Sequence, residues 1–207
     1  MKKNIAVFVS GGGTDFQSII DGVKAEQINA VIKLLISSKD GVYALQRAKN
    51  NGIPFYVFKK SDYLDADSLY GDIDLLLKEN NIDVIILAGY LSIVPKSFVA
   101  KYYGRIINVH PSLIPKHCGM GYYGMKVHEA VLASGDKISG ATVHFVDEGA
   151  DTGAVILQKE IPVMNGDTKE ALQERVLQAE HEILPRAVGL ICADKVKLSD
   201  GKAVFCE

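Results

Sequence analysis

The segment Asn108-Val-His-Pro-Ser-Leu-Ile-Pro115 holds the two side chains best placed to act together on one substrate atom. Asn108 and His110 stand two residues apart at the end of an apolar run, so on an extended chain they project to the same side. Pro111 and Pro115 stiffen the exit from that run, each fixing its own φ and restricting the residue before it. An amide donor and a titratable imidazole, aimed together from a rigid strand end, suit work on a polarised carbonyl. Each also has an ordinary explanation: His110 as a satisfied, partly buried histidine and Asn108 as a turn residue bonding its own backbone. Asp151, in the acidic loop Asp147-Glu-Gly-Ala-Asp-Thr-Gly153, could by itself be an Asx turn.

A second feature is Ser10-Gly-Gly-Gly-Thr-Asp15, between an apolar run and an amphipathic one. Glycines let a backbone approach an anion, and a helix N-terminus adds free N–H donors and the positive end of a dipole. Phe16 occupies the place of the third glycine in a dinucleotide fingerprint, and Ser37-Ser-Lys39 after the second run supplies no acid for a ribose diol. The pattern therefore fits a single phosphate, or else a plain strand–helix turn. Asp15 would oppose a phosphate if its carboxylate pointed inward; the alternative is that it caps the following helix.

The elements that must position these residues follow from periodicity. Strands are expected at Ile5–Val9, Ala30–Ile36, Phe55–Phe58, Val84–Ala88 and Arg105–Val109. Helices are expected at Phe16–Ala25, Tyr43–Asn50 and Leu64–Lys78, with a short one beginning near Pro95. Non-alternating strands between amphipathic helices predict a mostly parallel α/β sheet flanked by helices on both faces, with ligands beyond the carboxyl ends of its strands. The C-terminal half adds a helix near Met125–Ala133 and neighbouring, antiparallel strands at Ala141–Val146 and Ala154–Ile161 around the acidic loop. A long helix at Thr168–Ala193 follows, which Pro185 should kink or divide, and then a hairpin turning at Ser199-Asp-Gly201. No linker or repeat interrupts the chain, so residues 1–207 are expected to form one domain with halves at about 1–104 and 105–207.

Composition sets limits. With 48% hydrophobic and 23% charged residues and a net charge of −2, the chain resembles an ordinary soluble globular protein. It has no basic tract and no apolar stretch of membrane-spanning length, so the expected partners are small molecules rather than nucleic acid or membrane. Cys118, Cys192 and Cys206 form no Cys-x-x-Cys pair, which fits a reducing cytoplasm. The apolar run after Met-Lys-Lys is too short for a signal peptide and flows into the glycine loop, as a first core strand would. His110, His117, His128 and His144 lack a compact ligand motif such as His-Glu-x-x-His, so no metal is expected.

Taken in order, Ser-Gly-Gly-Gly-Thr14, Leu87-Ala-Gly-Tyr90, Asn108 to Lys116, Gly140-Ala-Thr-Val-His-Phe145 and Asp147 to Gly153 resemble the folate-dependent formyltransferases, a Rossmann-like family, over essentially the whole chain. The nearest likeness is to members that act on glycinamide ribonucleotide in purine synthesis, whose stand-alone form has this length. The resemblance implies transfer of the formyl group of 10-formyltetrahydrofolate to the ribonucleotide amine. Asn108 and His110 would stabilise the oxyanion, His110 as an imidazolium, and Asp151 would favour the charged ring. Gly13, Thr14 and Asp15 would hold the substrate phosphate, although the family more usually carries Asn at the last position. Leu91, Ser92, Ile93 and Val94, with Asp147, Glu148, Gly149, Ala150 and Asp151, would wall the pterin pocket. Leu177, Gln178, Ala179 and Glu180 would meet the substrate, with Glu180 contacting the glycinamide portion; without the resemblance Glu180 would read as part of a solvated helix face. Ser92 stands where relatives often carry a basic residue. The stretch His117–Met125, with Cys118 and Tyr122-Tyr123, is longer than in some members and could form a lid.

Rival functions remain at this level. A 10-formyltetrahydrofolate hydrolase or a methionyl-tRNA formyltransferase would share Asn108, His110 and Asp151, but each normally carries a further domain. A non-catalytic nucleotide-binding module would explain the glycine loop and leave those three residues without a common purpose. The oligomeric expectation is a monomer or homodimer.

Overall fold

A computed structural model describes residues 1–206. Five strands, β1 (Lys3–Val9), β2 (Ala30–Ser37), β3 (Phe55–Val57), β4 (Val84–Leu87) and β5 (Ile106–His110), pair in parallel. β6 (Ile138–Phe145) is antiparallel to β5, and β7 (Val155–Pro162) is antiparallel to β6. Their order in the sheet is β3-β2-β1-β4-β5-β6-β7. The helices are α1 (Thr14–Lys24), α2 (Tyr43–Asn50), α3 (Ala66–Glu79), α4 (Lys96–Lys101), α5 (Met125–Ser134) and α6 (Lys169–Cys192). A separate hairpin, β8 (Val196–Ser199) and β9 (Lys202–Phe205), follows α6 and turns through Asp200 and Gly201. The α/β class, the parallel majority and the antiparallel additions are as the periodicity implies.

The strands do not alternate in polarity because both faces of the sheet are covered. Ile5, Val7 and Val9 of β1 pack in one core with Phe16 and Ile19 of α1 and Leu184 and Val188 of α6. Ala6 and Phe8 enter a second core with Leu69, Ile73 and Leu77 of α3 and Phe98 of α4. Fully burying each Leu, Ile or Phe contributes about 1.5–3 kcal/mol, so both layers hold the sheet against its helices.

Most element ends shift by one to three residues from expectation, and two departures have a clear physical cause. α3 begins at Ala66, not Leu64, because Asp65 builds a capping box: its Oδ1 accepts from the Ser68 N–H at 2.7 Å and Ser68 Oγ lies 3.4 Å from the Asp65 nitrogen. α6 continues through Pro185 undivided. Proline costs one helical hydrogen bond, but Leu184, Ala187 and Val188 around it are wholly buried, and their packing keeps the segment helical.

The carboxyl ends of β1, β4 and β5 open on one side, where Ser10 laces the loops together. Its N–H donates to the Gly89 carbonyl at 3.0 Å, and its Oγ accepts from the Leu91 N–H at 2.8 Å and meets Ser38 Oγ at 2.6 Å. The ligand side of the sheet is thereby fixed. Among the described residues, no helix is long and apolar enough to cross a membrane.

Candidate active site

Alternation along β5 sends Ile107 and Val109 into the core shared with α6, and leaves Ile106, Asn108 and His110 on the opposite face. Asn108 is paired across the sheet with His144 of β6, and its Nδ2 lies 3.2 Å from His144 Nε2. His144 Nδ1 is 2.8 Å from the Phe145 carbonyl, which can only accept, so Nδ1 carries a hydrogen. The acidic loop then folds back over β5. A Cβ on Gly153 would sit 1.8 Å from the Phe145 carbonyl oxygen, so only glycine allows this close return. Asp151 sits at φ 57°, a left-handed conformation that Asp tolerates. Its Oδ1 lies 3.4 Å from Asn108 Nδ2 and its Oδ2 lies 3.5 Å from His110 Nδ1, while the Gly119 N–H donates to Oδ2 at 2.9 Å. Asn108, His110 and Asp151 therefore occupy one neighbourhood.

The charge state of His110 differs from the sequence expectation. Burial is the largest influence and pulls its pKa below the ordinary value; Asp151 and the His117 carbonyl push the other way without prevailing, and His144 adds to the lowering. The resting ring is neutral rather than an imidazolium. Its Nε2 lies 3.0 Å from the His117 carbonyl and must carry the hydrogen, so the Nδ1 lone pair faces Asp151. Two acceptors facing one another account for the 3.5 Å gap. For Asp151 burial is also the largest single effect, and it raises the pKa. The hydrogen bond to His144, the proximity of His110 and the Gly119 N–H together outweigh it and bring the carboxyl below its ordinary value.

A cleft of about 650 Å³ contains these groups. Gly13, Thr14 and Asp15 line one end, Leu91, Ser92, Ile93 and Ala150 another wall, and Leu177 and Glu180 a third side. A larger groove, about 930 Å³, runs between α1 and α6, but Asn108, His110 and Asp151 are absent from its lining, so convergent chemistry and not size marks the site.

Six residues expected in the site lie outside the cleft. Leu177 and Glu180 are three apart and share a helix face; Gln178 and Ala179 rotate off it by about 100° each. Gln178 is exposed and Ala179 is packed in the core. Asp147 turns inward on its own loop, accepting from the Gly149 N–H at 3.0 Å and Thr152 Oγ at 2.6 Å, and Gly149 packs against Thr152. Glu148 pairs outward with Lys96, and Val94 packs on the core beneath α3 and α4.

Asp15 and Glu180 exclude the two alternatives considered for them, a helix cap and a solvated helix face. Gly13, at φ 69° and with no room for a Cβ beside Ala44, is the N-cap of α1, and no side chain caps that helix. Asp15 is instead buried; its Oδ1 has no hydrogen-bond partner and stands 3.6 Å from His181 Nε2. Burial pushes its pKa up to about 6. Glu180 is not on a solvated face but is 8% exposed, and burial, reinforced by Asp15, pushes its pKa well above the usual range. Both are raised, so the two carboxyls ionise at higher pH than solvated ones would.

Sequence reasoning assigned no site role to His144, Tyr90, Gln173 or His128, although the last three line the cleft with Gly119 to Gly124. His144 was visible only as part of a motif, because its role depends on strand register. The His117–Met125 stretch does border the cleft, and it turns at Gly119, Gly121 and Gly124, all with positive φ.

Residues 3–188 match the family described as formyl transferase. Over 197 residues the chain is 41% identical to the chloroplastic phosphoribosylglycinamide formyltransferase of Vigna unguiculata, covering 94% of this chain and 62% of that protein. It is 39% identical over 199 residues to the trifunctional purine biosynthetic protein adenosine-3 of Homo sapiens, covering 96% of this chain and 19% of that one. The chain thus spans less than two thirds of either relative. The crystal structure of glycinamide ribonucleotide transformylase 1 from Symbiobacterium toebii superposes with a TM-score of 0.93 at 32% identity, covering 100% of this chain and 95% of that one. Sequence and fold agree over nearly the full length, and the chain belongs to the formyl transferase family.

Proposed function

We propose that this chain transfers the formyl group of 10-formyltetrahydrofolate to the amine of glycinamide ribonucleotide, a step of purine biosynthesis. The observation that carries this is the meeting of Asn108, His110 and Asp151 in a cleft whose far end is the glycine loop at the start of α1. Backbone N–H groups around Gly13 and Thr14 suit the phosphate. Leu91, Ser92, Ile93 and Ala150 suit a flat ring system. Burial favours the uncharged form of Glu180, and to a degree of Asp15; an uncharged carboxyl can donate to substrate oxygens, where two ionised carboxylates would repel a phosphate. The names of the plant and bacterial relatives point to the same acceptor.

In the transfer, the amine nitrogen bonds to the formyl carbon and the bond from that carbon to N10 of the folate breaks. Asn108 Nδ2 has one firm partner in His144, and its 3.4 Å contact with Asp151 is weak enough to yield that hydrogen to the developing oxyanion. A donor so placed contributes about 3 kcal/mol to lowering the barrier. The neutral His110 accepts the amine proton on Nδ1, becomes an imidazolium stabilised by Asp151, and returns the proton to the leaving nitrogen. Starting neutral is an advantage here, because an imidazolium could not accept.

We further read residues 1–207 as one formyltransferase domain, with a nucleotide-phosphate half at about 1–104 and a folate-binding half beyond it; the β4–β5 pairing joins the two halves within one sheet. A cytoplasmic setting is consistent with three unpaired cysteines. The test is a competition assay with 10-formyltetrahydrofolate, offering glycinamide ribonucleotide, initiator methionyl-tRNA and water. Formylation of the ribonucleotide alone supports the assignment, whereas formate release without acceptor, or formyl-methionyl-tRNA as the product, overturns it.

A further inference from the structure

His110 is held from behind by a residue that does not line the cleft. Its Nε2–H donates to the backbone carbonyl of His117 at 3.0 Å. That carbonyl belongs to a residue at φ 49°, which few side chains adopt comfortably, so something must hold it. His117 Nε2 lies 2.8 Å from Asp136 Oδ2 and Lys116 Nζ lies 2.9 Å from Asp136 Oδ1, while Ser112 Oγ donates to the Lys116 carbonyl at 2.6 Å. Asp136 stays ionised because His117, then Lys116 and Ser134, hold its pKa well below the usual carboxylate range. The His117 ring also meets the cleft-lining Tyr122 edge-on, with centroids 6.2 Å apart.

We propose that His117, anchored through its ring by Asp136, is a positioning residue for His110: it fixes the carbonyl that commits the proton to Nε2 and leaves Nδ1 aimed at Asp151 and the cleft. The arrangement also has an electrostatic side. The titratable groups facing His110 are Asp151, which favours its protonation, His144, which opposes it, and His128 of α5, whose own pKa is pulled down to about 4 by burial and then by its proximity to His110. His117 supports protonation through its carbonyl, while its ring faces Asp136. A loosened carbonyl removes that support, so His110 becomes harder to protonate when it accepts the amine proton.

The kinetic part of this inference rests on the formyl-transfer assignment; the ring titration does not. Two variants leave the carbonyl in place and remove its anchor: His117→Gly, which tolerates positive φ, and Asp136→Ala, which leaves the backbone at 117 untouched. In each, the His110 ring titration followed by NMR should move down by about one pH unit, and kcat should fall about tenfold with both KM values within about twofold. His117→Gln, whose amide can still donate to Asp136, should recover most of both. An unmoved His110 titration in the two folded anchor variants overturns the proposal. A lower Tm with kcat and titration unchanged overturns it as well, since the clamp is then merely structural. If the wild-type chain forms no product, the formyl-transfer assignment fails while the titration still decides the role of His117.

Discussion

Two places in this molecule bury acids, and they do so in opposite ways. Asp74 of α3 is saturated: Lys78 and Lys101 donate to Oδ2 at 2.9 and 3.1 Å, and the Tyr102 hydroxyl donates to Oδ1 at 2.9 Å. Burial is the strongest influence on it and raises its pKa, but these three donors together bring it below the usual range. Asp15 and Glu180 have no such donors. Asp15 Oδ1 is orphaned, Glu180 faces the cleft, and burial pushes both upward. A buried acid supplied with partners holds helices together; buried acids left without them, lining a cleft, are the ones the proposed function assigns to the substrate.

This contrast can be broken by substitution. Glu180→Gln should lower kcat/KM for glycinamide ribonucleotide about a hundredfold, because a cleft arranged around a carboxyl loses that group. Its Tm should not fall, since no protein partner is lost; a large Tm drop with normal kcat/KM would place Glu180 with Asp74 instead. Asp15→Asn should change the pH dependence of stability. Asp15 has a folded pKa raised from 3.8 to about 6, so its contribution is fully present below 3.8 and is lost as pH rises through about 6. Urea unfolding across that window should show the variant without this loss, and an unaltered profile would contradict the assignment. Asp74 has the opposite sign: with its folded pKa depressed, its contribution is present above the ordinary carboxylate value and is lost as pH falls through the folded one.

Asp74→Asn should therefore cost about 2 kcal/mol at neutral pH, read by chemical denaturation, and leave kcat/KM unchanged. Smallest of all, Lys169→Ala removes a pair with Glu129 whose side chains are 42% and 49% exposed, and should shift stability by less than about 0.5 kcal/mol. A loss as large as that for Asp74 would show that burial is not what separates the two cases.

The same contrast explains what could be read from the chain alone. Period-two alternation puts Asn108 and His110 on one face, and the double proline marks the strand end, so that half of the site is local. Asp151 is brought in by a glycine that packs against another strand, a contact invisible to periodicity; only the family resemblance connects it to His110. His144 depends on the register between β5 and β6. The run Leu177 to Glu180 is contiguous in sequence but not on a helix surface, which is why its two middle residues miss the cleft. The neutral state of His110, the raised pKa values of Asp15 and Glu180 and the undivided α6 all come from burial, a property of the assembled layers rather than of any local pattern.

The most direct test is a single-turnover measurement of formyl transfer by His110→Ala with both substrates saturating, beside the wild-type enzyme. A chemical step slowed at least about a hundredfold, with Tm and substrate affinities kept, is the expected result for a proton carrier at the reacting nitrogen. A rate within about twofold of wild type would mean that Asn108, His110 and Asp151 meet without doing the chemistry.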